Sequence, residues 1–222
     1  MSKQCFSIGE TISQLPVSQW LQGGEVDLLA LRGQVVLIEV FQVNCPGCFL
    51  YGLPMAVNLQ QRFAGRGFSV LAVATAFEDF DKNTLANLQA LLSTGEVTSE
   101  THAALAKRGG LQNDRWPMQL PFPVAMDDLR PLSTDPDTFE VEQFIASNIS
   151  NFDSLSSKQQ QQLRQRVLAY LQNQLYQPQL FSQFALQGTP SYLLLDKQGV
   201  LRFKQFGDYP SLSLDIEQLL AE

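Results

Sequence analysis

Two apolar runs set the frame of the chain. Val35 to Val43 (VVLIEVFQV) and Phe68 to Ala76 (FSVLAVATA) are nearly continuous and rich in β-branched residues, the pattern of strands buried on both faces. Between them Leu53, Val57, Leu59 and Phe63 recur at the spacing of one helical face, and Gly65 and Gly67 close that helix. Strand, helix and strand form one crossover unit, which chirality makes right-handed and parallel. Pro54 should kink the helix in its second or third turn.

Lys82 to Ser93 reads as a helix with Leu85, Leu88, Leu91 and Leu92 inward. Ser99 to Lys107 reads as a shorter helix, stopped by Gly109 and Gly110. A proline-containing loop with Trp116 then leads to a short strand, Phe122 to Met126. Residues 129–187 change character, being rich in Gln and Ser with no strand-like run. Leu163, Val167, Leu171 and Leu175 still recur every four residues, which predicts a long amphipathic helix over Lys158 to Leu175. Shorter helices are expected at Thr138 to Ser147 and near Gln179 to Ala185. The segment therefore reads as a helical insertion, not a linker. Ser191 to Leu195 and Val200 to Phe206 make a hairpin around Lys197-Gln198-Gly199, and a last helix covers Leu212 to Ala221. Residues 1–25 read as an N-terminal extension with one strand or short helix near Leu15 to Leu21. The expected whole is a single α/β domain over 1–222 with the insertion at 129–187.

A chain of 222 residues can bury a core without disulfide staples. Its net charge of −7 and the lack of a Lys/Arg cluster argue against a nucleic-acid partner. No apolar run approaches bilayer length, so no membrane partner is expected. The N-terminus, MSKQCFSIGE, lacks a basic stretch followed by an apolar core. If complete, the chain is expected in the cytoplasm; a processed export form would look the same.

Cys5, Cys45 and Cys48 are too few for a disulfide framework, and the odd count leaves one thiol over. In a reducing compartment a close pair is more often catalytic, redox-sensing or metal-binding than structural. A zinc site would have to recruit distant Cys5 and the sole histidine, His102. No metal and no cofactor are expected. Cys45-Pro46-Gly47-Cys48 lies directly after a buried strand and before a helix. This spacing lets two sulfurs reach bonding distance across one turn. Unpaired N–H groups at the helix start favour a Cys45 thiolate. Pro46 suits a first turn that needs no N–H, and Gly47 leaves room for an incoming sulfur. Cys45 would attack a substrate disulfide and Cys48 would resolve the mixed disulfide; the reverse order would oxidise a substrate. The bland alternative is a cysteine pair without chemistry.

Three segments, VVLIEVFQVNCPGC, FSVLAVATAFEDFDKNTLANLQALL and GTPSYLLLDKQGVLRFKQFG, together resemble the thioredoxin superfamily. The likeness is to bacterial thioredoxin-like proteins of the TlpA-like and peroxiredoxin-like branch, over residues 26–128 and 186–221. It implies a thioredoxin-like fold, with a central mixed sheet flanked by helices, and thiol–disulfide oxidoreductase activity. It places a cis-proline at Pro190, with Thr189 offering backbone hydrogen bonds to a substrate chain. It also places a buried acid at Glu39, six residues before Cys45. Burial among apolar neighbours would raise the Glu39 pKa and let it take the Cys48 proton, directly or through water; the alternative is a glutamate that reaches solvent or a Lys or Arg. Implied partners are a protein or small-molecule disulfide and a thiol reductant or reductase system.

Two departures leave the redox direction open. Asn44 stands where thioredoxins usually have Trp, and Pro-Gly reverses their Gly-Pro. Potentials in such proteins run from about −270 to about −120 mV, a spread of about 7 kcal/mol for two electrons. Reductase direction is expected from the compartment and not from the motif. A peroxiredoxin-like thiol peroxidase is the competing enzyme, although Ile38 and Gln42 occupy the Pro and Thr positions of its P-x-x-x-T-x-x-C pattern. A redox-sensing interaction module without turnover, with the insertion as its binding surface, is the third reading. His102 reads as structural, and Trp116 and Pro117 as core or substrate surface. Asp79 and Asp81 read as solvated loop residues. Cys5 reads as a free thiol, or as one that makes a regulatory or intermolecular bond.

Overall fold

The computed structural model describes residues 5–132 and 135–222; residues 1–4 of the N-terminal segment and 133–134 of the insertion lie outside it. In chain order its strands and helices are β1 (Val17–Gln22), β2 (Val35–Phe41), α1 (Leu53–Arg62), β3 (Phe68–Ala74), α2 (Leu85–Thr94), α3 (Ser99–Lys107), β4 (Val124–Asp127), β5 (Leu129–Pro131), α4 (Thr138–Asn148), α5 (Ser157–Asn173), β6 (Tyr176–Pro178), α6 (Gln179–Gln183), β7 (Ser191–Leu195), β8 (Leu201–Phe206) and α7 (Leu212–Ala221). Contacts divide the chain into two compact units. One holds the chain up to Leu129 and from Pro178 onward; the other is Arg130–Gln177.

The first unit is built on a six-stranded mixed sheet ordered β1-β4-β3-β2-β7-β8. β2 pairs parallel with β3 and antiparallel with β7, so it is hydrogen-bonded along both edges. Its side chains alternate between two cores. Val35, Leu37 and Phe41 join Phe49, Leu53, Phe63, Leu212 and Ile216 on one face. Val36, Ile38 and Val40 join Ile12, Leu28, Leu180 and Phe184 on the other. Each fully buried aliphatic side chain contributes about 1.5–3 kcal/mol of transfer free energy. The apolar runs form strands because every position along them has a core to enter.

Several local expectations change. Pro54 does not kink α1 from within; it sits in the first turn, where its missing N–H breaks no bond. Ahead of it, Cys48–Gly52 forms a π-helical turn in which Leu53 N–H reaches Cys48 O. This wider turn moves the preceding carbonyls away from the proline ring. α2 starts at Leu85, and not at Lys82, because Thr84 Oγ1 accepts from Asn87 N–H at 3.1 Å and caps it. Leu85, expected inward, is consequently exposed in the first turn, while Leu88 and Leu91 are buried. The segment around Leu15 to Leu21 is strand β1, paired antiparallel with β4 through two register shifts. α6 contributes Leu180, and Phe184 directly after it, to the core of the first unit.

The second unit contains α4 and α5 around Val141, Ile145, Phe152 and Val167, with Leu163 and Leu171 packed against them. Asp137 and Glu140 form a capping box at the start of α4. α5 ends at Asn173, so Leu175, the last member of the four-residue repeat, falls beyond the helix and is exposed. Among the described residues no helix is long and apolar enough to cross a membrane.

Asp127, at the end of β4, fastens α6 to the sheet. Its carboxylate accepts from Thr75 Oγ1 at 2.7 Å, Leu180 N–H at 2.8 Å and Phe181 N–H at 3.3 Å. Burial pushes its pKa up to about 6, against the pull of these bonds. Asp127→Ala strands buried donors and should cost about 1–3 kcal/mol in chemical denaturation at pH 7. An unchanged midpoint would refute the clamp. Because the folded pKa lies above the unfolded one, this group lowers stability as pH rises from about 4 to about 6. Asp127→Asn should lack that part of the slope.

Candidate active site

The chain leaves β2 at Phe41, crosses Gln42 to Asn44 and enters a helical turn at Cys45. Cys45 and Cys48 form a disulfide with their Cα atoms 5.4 Å apart. Cys48 N–H points at both Cys45 O (3.0 Å) and Cys45 Sγ (3.2 Å). The turn thus aims a backbone donor at the first sulfur, as needed to favour a thiolate there. Cys48 is fully buried, while Cys45 keeps 8% of its surface. Of the two cysteines, Cys45 is the less completely buried.

Thr189 and Pro190 close the site from the start of β7. The peptide bond between them is cis, and Thr189 O lies 3.6 Å from Cys45 Sγ. A Cβ added to Gly47 would lie 3.6 Å from Pro190 Cδ, an ordinary contact. Pro46 and Gly47 are half-buried beside it. The Thr189 hydroxyl donates to Gln42 Oε1 at 3.1 Å, and Gln42 Nε2 donates to Glu78 O at 3.3 Å.

Glu39 lies on the same face of β2 as the helix that follows the cysteines. It is fully buried, and among the described residues neither of its carboxylate oxygens has a hydrogen-bond partner. Burial alone raises its pKa well above the usual carboxylate range. The alternative of a solvated or ion-paired glutamate is thereby set aside. Its Oε1 fits against Gly52, one turn beyond Cys48; a Cβ at that position would collide with Oε1 and come within 2.9 Å of Pro190 Cβ.

Asn44 is a polar hub. Its N–H donates to Asn83 Oδ1 at 2.8 Å and its Nδ2 to Asp79 Oδ2 at 2.9 Å. Its Oδ1 accepts from Glu100 N–H at 3.1 Å, which caps α3 from outside, since the N-cap residue Thr98 makes no such bond. Asp79 and Asp81 are exposed loop residues, as expected, and Asp79 is in addition tied to the residue before Cys45.

Cys45, Pro46, Gly47, Cys48, Thr189 and Pro190 gather at one place, with Glu39 beneath them. Gln42, Asn44 and Gly52 join them without having been singled out as site residues; a glycine inside a helical pattern was the one available signal for Gly52. Other candidates lie elsewhere in role. Trp116 is core, its ring centroid 4.8 Å from that of Phe49. His102 Nε2 pairs with Asp114 at 2.7 Å, and Cys5 is an exposed free thiol. Among the described residues no cluster of three or more His, Cys, Asp or Glu could hold a metal ion.

No family model matches the chain, and no curated protein matches it. Solved structures do. A thiol-disulfide isomerase from Corynebacterium glutamicum superposes with a TM-score of 0.58 at 24% identity, covering 96% of this chain and 97% of that one. A thioredoxin-like superfamily protein, SPOA0173, gives a TM-score of 0.57 at 25% identity over 96% of this chain and 98% of that one.

Two outcomes check the geometry around Glu39. Gly52→Ala should destabilise by about 1–3 kcal/mol through overpacking; a neutral effect in denaturant would mean the space exists. Glu39 favours the protonated, folded state, so wild-type stability falls as pH rises above about 4.3 toward its raised pKa. Glu39→Gln should remove that fall and be the more stable protein at pH 8, the advantage shrinking toward pH 4. Equal stability at both pH values would contradict the raised pKa.

Proposed function

We propose that this chain, a member of the thioredoxin superfamily by its fold, is a thiol–disulfide oxidoreductase working through Cys45 and Cys48. The supporting observation is the disulfide itself, set at a helix start with its outer sulfur beside Thr189 and Pro190. In the dithiol state the Cys45 thiolate attacks one sulfur of a substrate disulfide. A Cys45–substrate disulfide forms, and the other substrate sulfur leaves as a thiolate that takes up a proton. Cys48 then loses its proton and attacks Cys45 Sγ. The Cys45–Cys48 disulfide forms and the second substrate thiolate leaves. Two electrons pass from the cysteine pair to the substrate, and a thiol reductant returns them.

Glu39 is the base for Cys48 in this scheme. An ionised carboxylate without a partner is a stronger base than a solvated one. Gly52 lies one turn from Cys48 and against Glu39 Oε1, which puts acid and thiol on the same side of the helix. Pro46, Gly47 and the Thr189 backbone border the entry for the substrate sulfur. The physiological direction is reductase, on the reading that the chain works in a reducing cytoplasm. The substrate class is a protein or small-molecule disulfide.

Reduction of insulin with a dithiol donor tests the activity. Cys45→Ser should abolish turnover. Cys48→Ser should retain the first attack and accumulate a mixed disulfide visible by mass spectrometry. Turnover that survives Cys45→Ser removes that residue as nucleophile, and no turnover in the native protein favours the redox-sensing module. Rapid thiol-dependent consumption of hydrogen peroxide would favour the peroxidase.

A further inference from the structure

We infer that Gln42 is a positioning residue of the redox site, holding the Thr189 carbonyl against the Cys45 sulfur and so governing the reactivity of that sulfur and the seating of a disulfide substrate. The inference deepens the oxidoreductase reading and rests on it.

Gln42 sits in a row of buried apolar residues, between Val40 and Phe41 on one side and Val43 on the other, and only 2% of its surface is exposed. An amide buried there loses its water and must find partners. It has two, from different parts of the chain. Its Oε1 takes the Thr189 hydroxyl at 3.1 Å across a separation of 147 residues. Its Nε2 is spent on Glu78 O at 3.3 Å, in the loop after β3. The amide is therefore oriented, with its acceptor end toward Thr189 and its donor end anchored elsewhere.

Thr189 is β-branched and stiff about its first side-chain torsion, so fixing its hydroxyl fixes its backbone. That backbone carries the carbonyl 3.6 Å from Cys45 Sγ. In the dithiol state the Cys45 S–H can donate to this oxygen, which favours the neutral thiol. Cys48 N–H, 3.2 Å from the same sulfur, favours the thiolate. The Thr189 carbonyl is thus the counterweight that Gln42 keeps in place. Once Cys45 is joined to a substrate, the same stretch of backbone borders the new disulfide.

Gln42→Leu keeps the size of the side chain and removes both bonds. Neither this substitution nor Thr189→Val replaces Glu39, Glu78, Asp79 or Glu100, the acids on the elements around Cys45; Gln42→Leu also frees Glu78 O in the loop that carries Asp79, whereas Thr189→Val leaves that loop bonded and isolates the link to Thr189. In reduced protein, ultraviolet titration of the thiolate should show a lower Cys45 pKa in Gln42→Leu than in the native chain. With a peptide disulfide, KM should rise about three- to ten-fold, the range for loss of one hydrogen bond, with kcat changed less. Thr189→Val should give the same two shifts, and the double variant should add little to either single one. Unchanged thiolate pKa and KM, or fully additive effects, overturn the inference even if thermal stability falls. If Gln42→Leu does not fold, Thr189→Val carries the test through the same two readouts. Absence of turnover in the native protein sinks the oxidoreductase reading instead, and the thiolate titration still decides the link.

Discussion

Strand β2 is paired along both edges and buried on both faces, and this removes the freedom of the chain at its carboxyl end. Pairing with β7 in fixed register brings the start of β7, and with it Pro190, to the residues that follow Phe41. Pairing with β3 brings the loop from Thr75 to Asn83 to the same place. The twofold alternation of side chains then decides which face each residue serves. Glu39 shares its face with Leu37 and Phe41, so it meets the helix that begins at the cysteines and not the core on the other side. The positions of the cysteine pair, Glu39 and Pro190 all descend from one strand held on four sides.

What the sheet does not fix, buried side-chain amides do. Gln42 and Asn44 lie in the short crossing between β2 and Cys45, where no ladder can form. Between them they engage Thr189, Glu78, Asp79, Asn83 and the first turn of α3. Thr101 Oγ1 adds a bond to Val43 O at 3.0 Å. A loop usually lies at the surface because its polar backbone needs water. Here the partners come from the protein, so the segment can be buried and held firm beside a reactive sulfur. An aromatic at position 44 could fill space but could not cap α3.

Much of this was legible in the residues. The apolar runs announced β2 and β3, and the four-residue repeat announced α5. The C-x-x-C pair announced the redox centre because it fell between a strand and a helix. Glu39 was legible as a charge among six apolar neighbours, Val35 to Ile38, Val40 and Phe41. Failures of local reading have local causes. A capping threonine moved the start of α2, and a widened turn absorbed Pro54. β1 was weakly marked because an edge strand with register shifts buries little. Gly52 and Gln42 were illegible for a different reason: their partners lie far away in sequence, and only the closed sheet brings them together. Residues 130–177 kept their helical periodicity, yet periodicity alone did not mark where that compact unit begins and ends.

Glu39, Gly52 and Pro190 occupy one shared volume although they come from a strand, a helix and a loop far apart along the chain. Such a volume is inherited as a set. Descendants of this sequence are free to drift on the outward faces of α1 and β8. A side chain at position 52, however, has to arrive together with a shorter acid at 39 or a displaced loop at 190. A larger residue at any one of these positions therefore has to be accommodated at the other two, which binds the acid, the glycine and the proline into one constraint.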